Sequence, residues 1–172
     1  YTSDTLFVLD ARNESIWKFD FLGKDGFSIK PKSYFGASAP SMRDVVDFVV
    51  YETYSYLLRN NGMLIFCDYT GYDPVCSYIN ELKNANGQQI DLSKKHMVQI
   101  RMNASPDTSL YLIDEKRQSI VNFTLKLNLI RYVVPDRFSG EGGEKMVTGF
   151  SLLNTNNVLW ASGSDLYIGS LQ

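Results

Sequence analysis

Histidine occurs once in the 172 residues, at His96, and cysteine twice, at Cys67 and Cys76. That scarcity limits the available chemistry: a nucleophilic triad needs a base beside its nucleophile, and common zinc sites draw on several His or Cys ligands. His96 follows Lys94 and Lys95 in a polar stretch and reads as a solvated loop residue. No phosphate-cradling glycine loop, no H-E-x-x-H and no G-x-S-x-G pattern is present. Among the carboxylates, Asp44 and Asp47 do not form an acid/base pair, because strand alternation puts them on opposite faces. Asp10 and Asp114 stand at matching places in two similar stretches and allow two readings. One is a repeated metal ligand. The other, commoner for a strand-end Asp, is an acceptor for the turn that follows it, with Ser15 and Ser119 at the far side. No cofactor and no metal is expected, and the residues read as those of a protein that is not an enzyme.

Three other sets of residues bear on binding and compartment. A turn centred on Thr70, Gly71, Tyr72 and Asp73 would let Cys67 and Cys76 face each other across two antiparallel strands, where a disulfide is geometrically possible. Buried free thiols are the commoner alternative in a β core. The sequons at Asn13, Asn103 and Asn122 are glycan acceptors if the chain is secreted, although a chain rich in Asn, Ser and Thr carries such triplets by chance. Tyrosines crowd positions 51, 54, 56, 69, 72 and 78. Most are expected to fill the space between sheets, and Tyr54 and Tyr72, beside turns, are the candidate contacts of a binding rim.

Composition narrows the class. A 44% hydrophobic content supplies a core for one domain without staples. The net charge of −2 and the short basic stretch Lys94–Lys95–His96 argue against nucleic acid, which needs clustered cations to neutralise phosphates. No apolar run reaches the roughly 18 residues of a membrane span, so no membrane insertion is expected. The balance leans towards an intracellular soluble protein, with secretion as the other option. The start at Tyr1 rather than Met predicts a processed chain or a fragment.

The elements that position these residues are announced by repetition. Thr5 to Phe19, TLFVLDARNESIWKF, returns as Ser109 to Phe123, SLYLIDEKRQSIVNF, and each copy reads as a β-hairpin: strand, Asp, polar turn, strand. Val45 to Leu58 returns as Val147 to Trp160 without a gap, keeping Phe48/Phe150, Thr53/Thr155 and Leu57/Leu159. The spacings agree, from 5 to 109 and from 45 to 147. With hairpins starting near 5, 55, 109 and 158, the unit is about 50 residues of short strands, the size of a propeller blade. Further strands are expected at Phe27 to Phe35, Met63 to Tyr69, Val75 to Leu82, Met97 to Met102 and Leu127 to Val134. Asn60-Asn61-Gly62 suggests a type I′ turn, and Lys83 to Lys95 a polar connection.

Residues 5 to 19 and 109 to 123, and more weakly 45 to 66 and 147 to 169, resemble β-propeller repeats of the broad WD40, NHL and YVTN kind. The Gly-His and Trp-Asp pairs of WD40 blades and the double glycines of kelch blades are absent, so no subfamily is implied. The resemblance implies an all-β chain of about three and a half four-stranded antiparallel blades, part of a β-propeller. The blades would span 1–39 (partial), 40–83, 95–138 and 145–172 (partial). Closed rings typically need at least four blades. The chain is therefore expected to be a piece of a larger ring, completed by missing sequence or another chain. The function implied is a non-catalytic scaffold for protein partners in a multi-subunit assembly. The alternative is a secreted or cell-surface propeller that binds carbohydrate or a receptor.

Overall fold

A computed structural model describes residues 4–71, 73–84, 86–87, 89–92, 96–103, 108–116, 119–133, 147–153 and 157–170. The chain divides into two compact units, Tyr1–Arg59 with Leu64–Tyr78, and Asn60–Met63 with Ile79–Gln172. Among the described residues, all regular structure is strand apart from short 3-10 turns, and no helix is long and apolar enough to cross a membrane.

In the first unit, strands β1 (Thr5–Asp10), β2 (Ser15–Asp20) and β3 (Lys32–Ser33) form one sheet in that order. A second sheet follows as β4 (Val45–Tyr51), β5 (Tyr54–Arg59), β6 (Leu64–Asp68) and β7 (Val75–Ile79). The β1–β2 register runs from Thr5 opposite Asp20 to Asp10 opposite Ser15. Its turn closes through Glu14, held at φ 51, a left-handed conformation that a short polar turn tolerates. Alternation sends Phe7, Leu9 and Ile16 to one face, where they pack with Phe35, Met42, Val45, Leu57, Ile65 and Cys67. Each fully buried Leu or Ile contributes about 1.5–3 kcal/mol. Glu14 adds a polar link, its carboxylate accepting from Ser41 Oγ at 2.9 Å and from the Met42 N–H at 3.1 Å.

In the second unit, β8 (Glu81–Lys83) and β9 (Gln89–Asp91) make a small hairpin. A four-stranded sheet follows as β10 (Met97–Met102), β11 (Ser109–Asp114), β12 (Ser119–Thr124) and β13 (Leu129–Val133). A three-stranded sheet follows as β14 (Gly149–Leu152), β15 (Asn157–Ser162) and β16 (Asp165–Ser170). Tyr111, Ile113, Ile120 and Val133 pack with Val147, Phe150, Val158 and Trp160. Gln99 Oε1 joins the two sheets by accepting from the Phe150 N–H at 2.9 Å. Gly169 packs close against the Trp160 ring, where a Cβ would stand 3.0 Å from Nε1 and the indole would have to shift.

Four expectations change. The strand at Phe27 to Phe35 shrinks to Lys32–Ser33, because Pro31 offers no N–H and Gly26 turns the chain at φ 75. Asn60-Asn61-Gly62 is not a two-residue I′ turn: only Gly62 has positive φ, and Leu58 pairs with Leu64 across a five-residue loop. Within it, Asn61 Oδ1 accepts from the Met63 N–H at 3.1 Å. The polar connection after Lys83 contains β9, paired back onto β8. The gap-free superposition of Val45–Leu58 on Val147–Trp160 also slips by one on its return strand. Phe48 pairs with Leu57 but Phe150 pairs with Trp160, so Leu57 corresponds to Trp160 rather than Leu159. The cause is one extra residue in the connection: three lie between Leu153 and Asn157, against two between Tyr51 and Tyr54.

Candidate functional site

The sequence candidates are carried by β5, β6 and β7. Tyr54 and Tyr56 share one face of β5, and their rings lie 5.6 and 5.2 Å from that of Phe66, which pairs with Tyr56. Tyr56 is fully buried and burial pushes its phenol up, whereas Tyr54 stays half-buried near the end of the row. Tyr72 lies outside the described residues. Cys67 and Cys76 are joined as a disulfide with a Cα–Cα distance of 4.1 Å, and Cys67 is in the core with Leu57 and Ile65. Cys67 pairs with Ser55, one residue out of phase with Tyr54 and Tyr56, so the bridge and the tyrosine row occupy opposite faces. The structure does not gather them into one site.

The bridge matters because β7 is lightly packed. Val75 is 70% and Tyr78 53% exposed, so little apolar burial holds this strand. Arg59 helps from β5, its guanidinium 5.8 Å from the Tyr78 ring while Nη2 and Nε bind Asp44 Oδ2 at 2.6 and 2.8 Å.

The remaining candidates are local. Asp10 accepts from the Asn13 N–H at 3.1 Å and from Asn13 Nδ2 at 2.7 Å, and those bonds hold its carboxyl below the ordinary aspartate value. Ser15, across from Asp10, donates instead to the Asn13 carbonyl at 3.1 Å. Asp114 is buried and pairs with Ser119 in the same register. His96 is exposed. No three His, Cys, Asp or Glu side chains among the described residues gather as metal ligands.

Two of the three glycan acceptors need correction. Asn122 is buried, with Nδ2 donating to Ser109 Oγ and the Leu110 carbonyl, both at 3.1 Å. Asn103 is buried too, its Oδ1 accepting from the Ser109 N–H at 2.6 Å. A sugar on Nδ2 of Asn122 would break both of its bonds, and Asn103 is buried with its Oδ1 already engaged. Asn13 is exposed.

A surface that the residue types did not signal lies on the other face of β1 and β2. Leu6, Val8, Trp17 and Phe19 form cross-strand pairs there, and Val8 is 41% exposed. The corresponding Leu110, Leu112, Val121 and Phe123 are fully buried. A four-residue apolar face stands half covered where its repeat is closed.

No protein-family profile matches the chain, and no curated protein matches it. Solved structures do. Kluyveromyces lactis Hsv2 is similar with a TM-score of 0.52 and 10% identity, over 100% of this chain and 48% of that one. A streptogramin B lyase gives 0.52 and 11%, over 98% and 66%. Myxococcus xanthus glutaminyl cyclase gives 0.54 and 10%, over 100% and 72%. All three are β-propellers. The fold is that of part of a β-propeller. The chain spans about half the length of Hsv2. The propellers it resembles include a lyase and a cyclase, which overturns the expectation that the chain is not an enzyme. That expectation rested on the absence of known catalytic patterns, and a propeller can support catalysis without displaying them in a stretch of this length.

Proposed function

We propose that this propeller segment is a platform for protein partners in a multi-subunit assembly, with blades at 1–39 (partial), 40–83, 95–138 and 145–172 (partial). The half-covered face of Leu6, Val8, Trp17 and Phe19 carries the reading, because an apolar sheet face of this kind is stable when another layer covers it. The cover is a further blade or a partner subunit, and either makes the chain one piece of a larger body. Repeats of the WD40, NHL and YVTN kind supply the closest sequence pattern, through the two matching hairpins. Tyr54, half-buried beside Phe66, is the partner contact on β5 in this reading.

Sizing the natively expressed protein tests it. The reading predicts a particle well above 19.6 kDa that Val8→Glu disrupts, by release from a partner subunit or, where a further blade is the cover, by loss of stability. A 19.6 kDa monomer that is indifferent to Val8→Glu would contradict it.

The disulfide favours a second reading, a secreted or cell-surface propeller that binds carbohydrate or a receptor, since such bridges persist in oxidising compartments. Thiol titration of the denatured, unreduced native protein separates the two. No free thiol together with glycan mass on Asn13 supports the extracellular reading, and two free thiols remove it.

A further inference from the structure

We propose that the loop joining β2 to β3 docks an acidic protein segment that carries apolar side chains, an inference that rests on the platform reading above. The internal repeat isolates this loop. Residues 21–31 join β2 to β3, eleven in all, whereas the matching strands β12 and β13 are joined by four, 125–128. The repeat closes the same pair of strands with the short connection; here part of the extra length prolongs the ladder through the Phe21–Phe27 bridge, and the rest, Leu22–Gly26 and Ile29–Pro31, is surplus to what the repeat needs.

The loop is built rather than slack. Phe21 bridges to Phe27 with ring centroids 5.3 Å apart, the Leu22 N–H donates to the Gly26 carbonyl at 2.6 Å, and the Ser28 N–H donates to the Asp20 carbonyl at 2.8 Å. Order of this kind lowers the entropy lost on binding. On this frame Ile29 is 93%, Leu22 53% and Phe21 45% exposed. Exposed apolar groups rimmed by polar ones mark an interaction site.

Charge selects the occupant. Residues 18–32 carry four Lys and two Asp, a local +2 within a chain of −2, so the remainder carries −4. Asp20 engages Lys32 at 2.8 Å and Lys18 at 3.6 Å, which leaves exposed Lys24, beside Asp25 in the turn closed by Phe21 and Phe27, and exposed Lys30 beyond that turn. A lipid surface rich in anionic headgroups is read by clusters of about four to eight basic residues. Two lysines fall short of that, and an extended anionic sheet would also meet the −4 elsewhere. Nucleic acid fails on the same count. A short acidic peptide meets the loop alone, its carboxylates on Lys24 and Lys30 and its apolar side chains on Leu22 and Ile29.

The test uses the whole chain and a labelled peptide of alternating Glu and Leu/Phe, with a Lys-for-Glu version and phosphatidylserine vesicles as controls. Two double variants, Lys24→Glu with Lys30→Glu and Leu22→Ser with Ile29→Ser, change only exposed positions, and unchanged melting confirms that each folds. Saturable binding of the Glu peptide is expected, weakened about tenfold or more by each double variant and further by salt, with no binding of the Lys peptide. Absence of saturable binding, equal binding by both variants, or loop-dependent binding to vesicles in place of peptide overturns the proposal. If both variants keep the large native particle that Val8→Glu disrupts, the loop assignment falls and the platform reading stands.

Discussion

Hairpins β1–β2 and β11–β12 share a sequence pattern and a residue-for-residue register, yet they live in different surroundings. Leu6 faces Phe19 as Leu110 faces Phe123, and Asp10 faces Ser15 as Asp114 faces Ser119. In β11 every residue is buried, and in β12 all but Thr124, whereas β1 and β2 together contain a single buried residue, Ile16. β11 is flanked on both edges by β10 and β12, while β1 is the edge of its sheet. The local pattern therefore determines the hairpin, and the neighbours determine how much stability it receives.

The sharpest way to break that comparison is paired truncation. Leu112→Ala, at a fully buried position, is expected to cost about 2–5 kcal/mol. Val8→Ala at the matching, 41% exposed position should cost under about 1 kcal/mol. Urea denaturation of both variants measures the difference, and equal losses would mean that the two faces are covered alike.

The next effect belongs to the first unit. Reducing the Cys67–Cys76 bridge, or Cys67→Ser with Cys76→Ser, should cost about 2–3 kcal/mol, as for a short closed loop. The loss should appear first as faster amide exchange in β7, whose side chains bury little, with β13 unchanged. Simultaneous loosening of both strands would show that the bridge does not act locally.

Much of this architecture is legible in the residues, and the misses have physical causes. The hairpin at 5–19 reads correctly because alternation and a polar turn are local properties. The Val45/Val147 superposition fails on its return strand because turn length is not a pattern of side chains, and a one-residue slip exchanges the faces of a strand. Leu159 is conserved in type with Leu57, but Trp160 occupies the core position. Asn122 reads as a surface sequon and is buried, since the triplet carries no information about burial. The half-covered face of β1–β2 is invisible in sequence because its residue types match those of the buried copy. The long β2–β3 loop is missed, because Phe27 to Phe35 reads as a strand and the structure pairs only Lys32–Ser33 of it in a named strand.

Smaller effects refine the turn chemistry. Asp114→Ala should destabilise by about 1 kcal/mol, as for loss of a capping side chain, measured by thermal melting. In the first copy the signal is pH. The side chain and N–H of Asn13 hold Asp10 below 3.8, and Ser41 with the Met42 N–H holds Glu14 below 4.5. Because the folded values are depressed, this stabilisation is present above those ordinary values and is lost as pH falls through the folded ones. Asp10→Asn and Glu14→Gln should therefore flatten the acid limb of the stability profile while changing little of its slope near neutrality. An acid limb as steep as that of the parent chain would assign the loss to other carboxylates.

Native-state hydrogen exchange, read amide by amide, tests most directly whether one repeated hairpin draws its stability from its neighbours. Amides of β11 and β12 should exchange only by global unfolding, and those of β1 and β2 faster through local opening. Equal protection of Leu110–Ile113 and Leu6–Leu9 would contradict it.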